Sequence, residues 1–230
     1  MKVEFHCHSE ASFDCSDSLS EKSEAYLNLG FQKVYITDHD EILCNNSYGI
    51  FAPGIEVSST FGHIILLDIK RKPYLNTLWF IVFWSKLFDS KILIPHVNRK
   101  FTGLIERHNS RGFSLLYLNW FISKAYYVEH YNHRENNKIR TEDIHSSTFN
   151  LLKNLNGVYT SDSHSLEDIY PIGTSVDLFG DVIVDVEKSN CFKDYFNLYD
   201  KAIEKSLLIR FYNCILTVRR SFLYLIYGRL

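Results

Sequence analysis

Short apolar runs alternate along the chain with longer stretches in which apolar residues recur every three or four positions. The short runs are rich in β-branched and aromatic residues and predict strands at 2–6, 33–37, 50–57, 63–69, 91–95, 126–131, 158–161 and 182–186. The longer stretches predict helices at 20–29, 74–88, 103–111, 114–123 and 146–154. Because strands alternate with helices, the pattern favours parallel βα units in a single sheet.

Two of the predicted helices carry further signals. Ser20, followed by Ser23 and Glu24, is typical of a helix start, and Gly30 is typical of a helix stop. The segment 75–84 is very apolar, but a bilayer span needs roughly 20 such residues. A buried helix is therefore predicted there. Its aromatic side chains are expected in the core, and they are Trp79, Phe80, Phe83 and Trp84.

Residues 206–230 predict an amphipathic helix. Apolar side chains recur there at intervals of three and four, at Leu208, Phe211, Ile215, Val218, Phe222 and Leu225. We therefore expect a main domain at 1–205 and a C-terminal helix at 206–230 that packs on it. Contact with a protein partner or a membrane surface through this helix is the alternative. The oligomeric state is left open.

Composition narrows the class of protein. With 230 residues, 46% of them hydrophobic and 23% charged, the chain has the make-up of an ordinary folded domain. The net charge of −2 argues against a general polyanion binder, although it permits a local basic groove. The five cysteines are odd in number and lie at no zinc-finger spacing, and no signal peptide pattern follows Met1. We expect reduced thiols and a cytoplasmic protein.

Histidines and carboxylates lie at or just after the ends of most predicted strands. His6 and His8 point to the same face of the first strand, about 7 Å apart, because side chains alternate along a strand. The later motifs are Asp38-His39, Gly54-Ile55-Glu56, Gly62-His63, Pro95-His96 and Ser161-Asp162-Ser163-His164, and Asp14 follows the first strand. Parallel βα folds place their chemistry at such ends, and a barrel gathers more of them on one rim than an open sheet does.

These ligand types suit a multinuclear metal site. Imidazoles and carboxylates without thiolates favour zinc, manganese or iron. Nine such ligands are too many for one ion, whereas three divalent ions with one bridging carboxylate would use them all. Phosphoester hydrolysis fits this cluster, since metal ions supply hydroxide at neutral pH and neutralise phosphoryl oxygens. The other histidines are predicted to be solvated, and they are His108, His130, His133 and His145.

The ordered series of motifs resembles that of the polymerase and histidinol phosphatase (PHP) family of metallo-phosphoesterases. The series is His-x-His-Ser, Thr-Asp-His-Asp, Gly-Ile-Glu, Gly-His, Pro-His and Ser-Asp-Ser-His, over residues 3 to about 175. Each motif alone is weak, but six in this order are specific. The resemblance implies an α/β fold, a distorted (β/α)7 barrel, with a trinuclear metal centre at the C-terminal rim of the strands.

The resemblance also implies ligands for each ion. One ion would be held by His6, His8, Glu56 and Asp162; Glu56 would bridge to a second held also by His63 and His96; Asp14, His39 and His164 would hold the third. Asp14 lies where many members have Ser-Asp-Gly, and Asp17 is the less favoured choice. Asp38 is expected to buttress His39 or neighbouring groups.

Three further residues each have two possible roles. Glu129, in a segment similar to a strand of the family, either orients a ligand or a water, or is a structural carboxylate. Arg99 and Arg134 are candidates for binding the substrate phosphate, and each is otherwise an ordinary surface arginine.

The function predicted is hydrolysis of a phosphomonoester of a small metabolite by attack of a metal-bound hydroxide. A nuclease or nucleotide phosphodiesterase acting on short nucleic acid is an alternative within the same chemistry. A protein-tyrosine phosphatase tied to capsule synthesis is another activity of the family, although its members have a different loop after the first histidine pair. A non-catalytic metal-binding regulatory module is the alternative from a different class.

Overall fold

The computed structural model describes residues 1–43, 48–134, 137–138 and 144–176. The strands are β1 (Lys2–Cys7), β2 (Lys33–Ile36), β3 (Phe51–Ser59), β4 (Gly62–Leu67), β5 (Lys91–Ile94), β6 (Tyr127–Asn132), β7 (Asn137–Lys138), β8 (Asn156–Thr160) and β9 (Thr174–Ser175). The helices are α1 (Leu19–Asn28), α2 (Leu78–Leu87), α3 (Leu104–Arg111), α4 (Leu115–Ile122) and α5 (Ser146–Lys153). A 3-10 turn follows at Leu166–Asp168.

The strands form one curved sheet that nearly closes on itself. Its order is β7-β6-β5-β4-β3-β2-β1-β9, and β8 pairs with β6 beside this path. The chain just after β8 returns to β1, where the His8 N–H donates to Ser163 O and the Asp162 N–H donates to His6 O, both at 3.0 Å. The prediction of a mixed α/β, barrel-like fold is confirmed.

The direction of β4 departs from the all-parallel prediction. β4 forms an antiparallel hairpin with β3, in which Ser59 pairs with Gly62, and it is also antiparallel to β5. Gly62 has a positive φ of 111°, and a Cβ there would lie 2.6 Å from Thr102 O, so this turn requires glycine. Because β4 is reversed, its first residues lie at the rim where the parallel strands end. That reversal brings His63 to this rim.

The beginning of α1 also differs from the prediction. Ser18, not Ser20, is the N-cap: its hydroxyl accepts the N–H of Glu21, and the Glu21 carboxylate accepts the N–H of Ser18. This reciprocal pair satisfies two donors that a helix start leaves free. At the other end Gly30 has a φ of 77° just after the C-cap Leu29, so the predicted helix stop is confirmed.

Three apolar clusters pack against the sheet, and two of them meet at β4. One of these two, which includes Phe5, Ile65 and Leu67, draws side chains from β1 to β6 and from β8. The alternate residues of β4, Ile64 and Leu66, pack instead against the cluster that α2, α3 and α4 cover. This alternation follows from the two-residue period of a strand. The whole of β4 is therefore apolar and buried beyond His63.

The prediction that every aromatic residue of α2 is in the core was wrong. Trp84 is buried, whereas Phe83 is 51% exposed. Adjacent helical positions are about 100° apart around the axis, so the two rings face different sides. No helix in the described ranges combines the length and apolarity that crossing a bilayer requires. The predicted strand 182–186, the boundary at 205 and the helix 206–230 lie outside the described residues.

The cap of α1 gives a direct test. Replacing Ser18 by Ala removes the side-chain acceptor and should lower the free energy of unfolding by about 1 kcal/mol, measured by urea denaturation. Ser20→Ala, at an exposed position inside the helix, is the matched control and should change it by less than about 0.5 kcal/mol. Equal effects of the two substitutions would contradict the assigned cap.

Candidate metal centre

All nine residues predicted as metal ligands converge on one rim of the barrel. Within the described residues, ligand atoms that lie mutually within 4.8 Å form these groups: His8, Asp14, His39 and His164; His6, Glu56 and His96; His6, His8 and Asp162; His39, Glu56 and His63. The groups share members, so they form one continuous cluster. Most of these side chains are buried, and the partly exposed ones are Asp14, His39 and His63.

Three atoms at the floor of the cluster form a nearly equilateral triangle. His6 Nε2 lies 3.1 Å from His8 Nε2 and 3.2 Å from Asp162 Oδ1, and His8 Nε2 lies 3.3 Å from the same oxygen. Ligands at 2.0–2.1 Å from a tetrahedral ion are separated by about 3.3 Å. Asp162 Oδ1, one of these three atoms, is buried and accepts no hydrogen bond from the described residues. This donor set fits a divalent ion.

Glu56 connects two sides of the cluster. Its Oε1 lies 2.8 Å from His63 Nδ1 and 3.0 Å from His96 Nε2. Its Oε2 lies 3.3 Å from His6 Nε2, 3.4 Å from His8 Nε2 and 3.3 Å from His39 Nδ1. Burial raises the pKa of Glu56, but His63 and His6 outweigh it and hold this pKa well below its usual range. The carboxylate is therefore ionised, with each oxygen facing a different set of imidazoles.

A third group lies nearer the surface. Asp14 Oδ2 is 2.8 Å from His164 Nε2 and 3.4 Å from His39 Nε2. Partial burial raises the pKa of Asp14, but the Ser12 hydroxyl and the imidazoles of His164 and His39 outweigh this effect. The pKa of Asp14 is therefore below its usual value. Asp17, the other candidate, accepts the N–H of Leu166 at 2.5 Å instead. The structure thus brings Asp14 to the cluster, and His39 stands between Asp14 and Glu56.

Glu129 lies behind the ligands rather than among them. Its Oε1 accepts from His6 Nδ1 at 2.6 Å and from the Thr160 hydroxyl at 2.8 Å, and its Oε2 accepts the His96 N–H at 2.6 Å. Asn132 Nδ2 also donates to Oε2, at 3.1 Å. A carboxylate in this position fixes the imidazole so that its Nε2 faces the metal site.

The protonation of the floor is coupled to metal binding. Burial lowers the pKa of His6, but Asp162, Glu56 and Glu129 raise it well above its usual value. Burial lowers the pKa of His8 to about 4, so His8 is neutral near pH 7. Since an imidazole must be deprotonated to bind a metal through Nε2, an ion at the floor would displace the second proton of His6.

Asp38 supports the turn after β1. It accepts the N–H of Ser9 at 2.6 Å and the Ser9 hydroxyl at 2.7 Å, and burial raises its pKa to about 6. Its backbone carbonyl also accepts the N–H of Glu56 at 3.1 Å. Asp38 therefore ties the segment after His8 to the strand that carries Glu56, and it belongs to none of the ligand groups.

The two predicted phosphate-binding arginines differ in position. Arg99 follows β5, and its Nη1 lies 3.4 Å from Asp162 Oδ2 with the side chain 27% exposed. Arg134 lies in the turn after β6, where its backbone N–H donates to Ser161 O at 3.2 Å and its side chain is exposed. The structure thus brings the side chain of Arg99 to the cluster and the backbone of Arg134 to the turn that carries Asp162.

Some residues around the centre escaped the sequence analysis. Phe13 is 86% exposed and stacks on His39, with ring centroids 5.1 Å apart. Beneath the floor, Lys22 and Tyr26 of α1 are completely buried. Because they are four residues apart, both lie on one face of α1, and this spacing is the sequence signal that could have linked them.

The prediction that His108 is solvated was wrong. His108 is buried and packs edge-on against Phe113.

Comparisons with known proteins support the fold. No family model matches the chain, and no curated protein matches it. A solved structure does match: a two-domain protein from Bacteroides vulgatus, described as containing a predicted PHP-like metal-dependent phosphoesterase, with 17% identity and a TM-score of 0.50. The match covers 71% of this chain and 52% of that one. The chain spans about half the length of that protein, and at this identity the likeness shows the fold alone.

The position of Asp14 predicts a selective effect on metal content. Asp14→Asn should lower the zinc or manganese bound per chain after dialysis by about one ion, since it removes a charged ligand of the outermost group. Elemental analysis measures this ratio. Asp17→Asn is the matched control, because it removes a carboxylate from the same loop that lies outside the ligand groups, and it should leave the ratio unchanged. If Asp17→Asn lowered the metal content and Asp14→Asn did not, Asp17 would be the ligand in place of Asp14.

Proposed function

We propose that the chain is a metal-dependent phosphoesterase that hydrolyses phosphomonoesters of small metabolites. The observation that carries the proposal is the buried carboxylate of Glu56, whose two oxygens face different imidazoles. A carboxylate shared in this way suits two divalent ions a few ångströms apart, the arrangement of many phosphoester hydrolases. The similarity in fold to a protein described as PHP-like is in line with this proposal.

The proposed centre holds three divalent ions, each zinc, manganese or iron. One would be bound by His6, His8, Asp162 and Glu56, the second by Glu56, His63 and His96, and the third by Asp14, His39 and His164. Ions held by these residues would supply Lewis-acid chemistry toward the phosphoryl oxygens and would lower the pKa of water near them.

The protein supplies orientation and access around this centre. Glu129 holds His6 by its Nδ1, and the imidazole is thereby kept from rotating. Buried His6, His8 and Asp162 close the floor, whereas His39 and Asp14 are partly exposed. We infer that the substrate phosphate approaches from this exposed side.

Arg99 is the proposed phosphate-binding residue. Its guanidinium contacts Asp162 at the centre and is still partly exposed, so it is able to donate to a bound phosphate. Arg134 is proposed as a second contact, on the turn beside Asp162. The buried carboxylates would repel a phosphate in the absence of cations, and an arginine there offsets part of that repulsion.

Activity is the first test. Protein loaded with manganese or zinc should release phosphate from p-nitrophenyl phosphate, and His8→Ala should lower kcat/KM by more than about 100-fold, since even outer partners of metal ligands are worth 10–100-fold. Hydrolysis of bis(p-nitrophenyl) phosphate alone would instead favour the nuclease or phosphodiesterase activity. Metal-loaded protein that is inactive on both esters would contradict an enzymatic role. The non-catalytic metal-binding module would then be the remaining hypothesis.

Arg99 gives a second test. Arg99→Met should raise KM for the phosphomonoester about tenfold or more, since a hydrogen bond between two charged groups is lost, with a smaller change in metal content. Arg71→Met, an exposed arginine after the far end of β4, is the control and should leave KM unchanged. An unchanged KM in Arg99→Met would remove Arg99 from the binding site and leave Arg134 as the candidate.

A further inference from the structure

A completely buried ammonium group lies beneath the candidate metal centre. Lys22 is 0% exposed, and its Nζ donates to Ser163 O at 3.0 Å and to Ser163 Oγ at 3.4 Å. Among the described residues no carboxylate makes a direct ion pair with it, although Lys22 interacts electrostatically with Asp38 and offsets part of the rise that burial causes in the pKa of that carboxyl. Burial of an ammonium without a paired carboxylate is strongly unfavourable. Both of its hydrogen bonds go to Ser163, so the contacts of this ammonium are concentrated on one residue.

A second group on the same helix face holds the same turn. Tyr26, four residues after Lys22, has its hydroxyl 2.9 Å from Ser163 Oγ and 3.1 Å from Ser161 Oγ. On β1, the buried Glu4 carboxylate accepts the N–H of Ser161 at 3.1 Å. The turn 161–163 is therefore fixed by buried polar groups of α1 and of β1.

This turn sets the positions of several ligands at once. Asp162 has a φ of 53°, a left-handed conformation that surrounding contacts must maintain in a non-glycine residue. Ser163 O, which accepts from Lys22, also accepts the N–H of His8 at 3.0 Å. His164 Nδ1 lies 2.8 Å from the carbonyl of Asp162. A shift of Ser163 would consequently move His8, Asp162 and His164 together.

We propose that Lys22 is a positioning residue for the metal centre. Together with Tyr26 it clamps the turn 161–163 and so fixes the geometry in which Asp162, His164 and His8 bind their ions. The inference rests on the proposed metal-dependent function, but it concerns metal affinity rather than the ester that is hydrolysed. A lysine at this depth acts through backbone and hydroxyl contacts and does not touch the substrate.

The test compares Lys22→Met with the wild type in the full chain. Met keeps most of the side-chain length but cannot donate to Ser163. The affinity for zinc, measured by competition with a chelator, should fall about tenfold or more, the range found for outer partners of metal ligands. In the phosphomonoester assay kcat should fall at saturating metal, with KM changed less, since the ligands and not the substrate contacts are displaced.

A matched core variant separates positioning from general stability. Leu118→Ala, at a buried site in α4, should lower the melting temperature of the metal-free protein but leave the zinc affinity unchanged. If Lys22→Met fails to fold, Tyr26→Phe tests the same clamp by removing one hydroxyl, and it should weaken zinc binding to a smaller extent. Zinc affinity that is unchanged in a folded Lys22→Met, or in Tyr26→Phe where Lys22→Met does not fold, overturns the proposal.

The two proposals fail separately. A wild-type protein that binds zinc in a Lys22-dependent manner but hydrolyses neither ester supports the positioning role and overturns the phosphoesterase function. Active wild-type protein whose zinc affinity and kcat are both insensitive to Lys22→Met supports the phosphoesterase and overturns the positioning role.

Discussion

The ionised carboxylate of Glu56 is the constraint on which the rest of the site depends. A buried negative charge requires compensation, and imidazoles surround Glu56 on both of its oxygens. Those imidazoles need orientation in turn, which Glu129 provides for His6 through its ring and for His96 through its backbone. Polar groups are thus arranged outward from one carboxylate, with imidazoles around Glu56 and the Glu129 carboxylate behind two of them.

The reversal of β4 serves the same requirement. A parallel strand at this place would bring its last residues to the rim, whereas β4 brings its first, directly after a tight turn from β3. Glu56 and His63 therefore come from adjacent antiparallel strands and need no crossover helix between them. The short connection leaves the remainder of β4 wholly apolar. Its alternate side chains pack into two different apolar clusters, Ile64 and Leu66 into one and Ile65 and Leu67 into the other.

The sequence alone predicted the motifs and most strands, because ligand types and apolar runs are local properties. It did not reveal the direction of β4, since the alternation of apolar residues is the same in either direction. It predicted the start of α1 at Ser20, because serine at either position 18 or 20 is a suitable N-cap. In the structure the reciprocal contact with Glu21 makes Ser18 the N-cap. The role of Lys22 was beyond reach, because its partner Ser163 is 141 residues away in sequence.

The closure of the barrel has a consequence for the order of events during synthesis. The Val176 N–H donates to Met1 O at 2.9 Å, across 175 residues of sequence, and His6 and His8 share the floor with Asp162. A ribosome that has made β1 through β6 has therefore produced most of the histidines but not the floor. Long-range pairing of this kind forms slowly and late. Until His164 has emerged, the nascent chain carries an incomplete set of the candidate ligands.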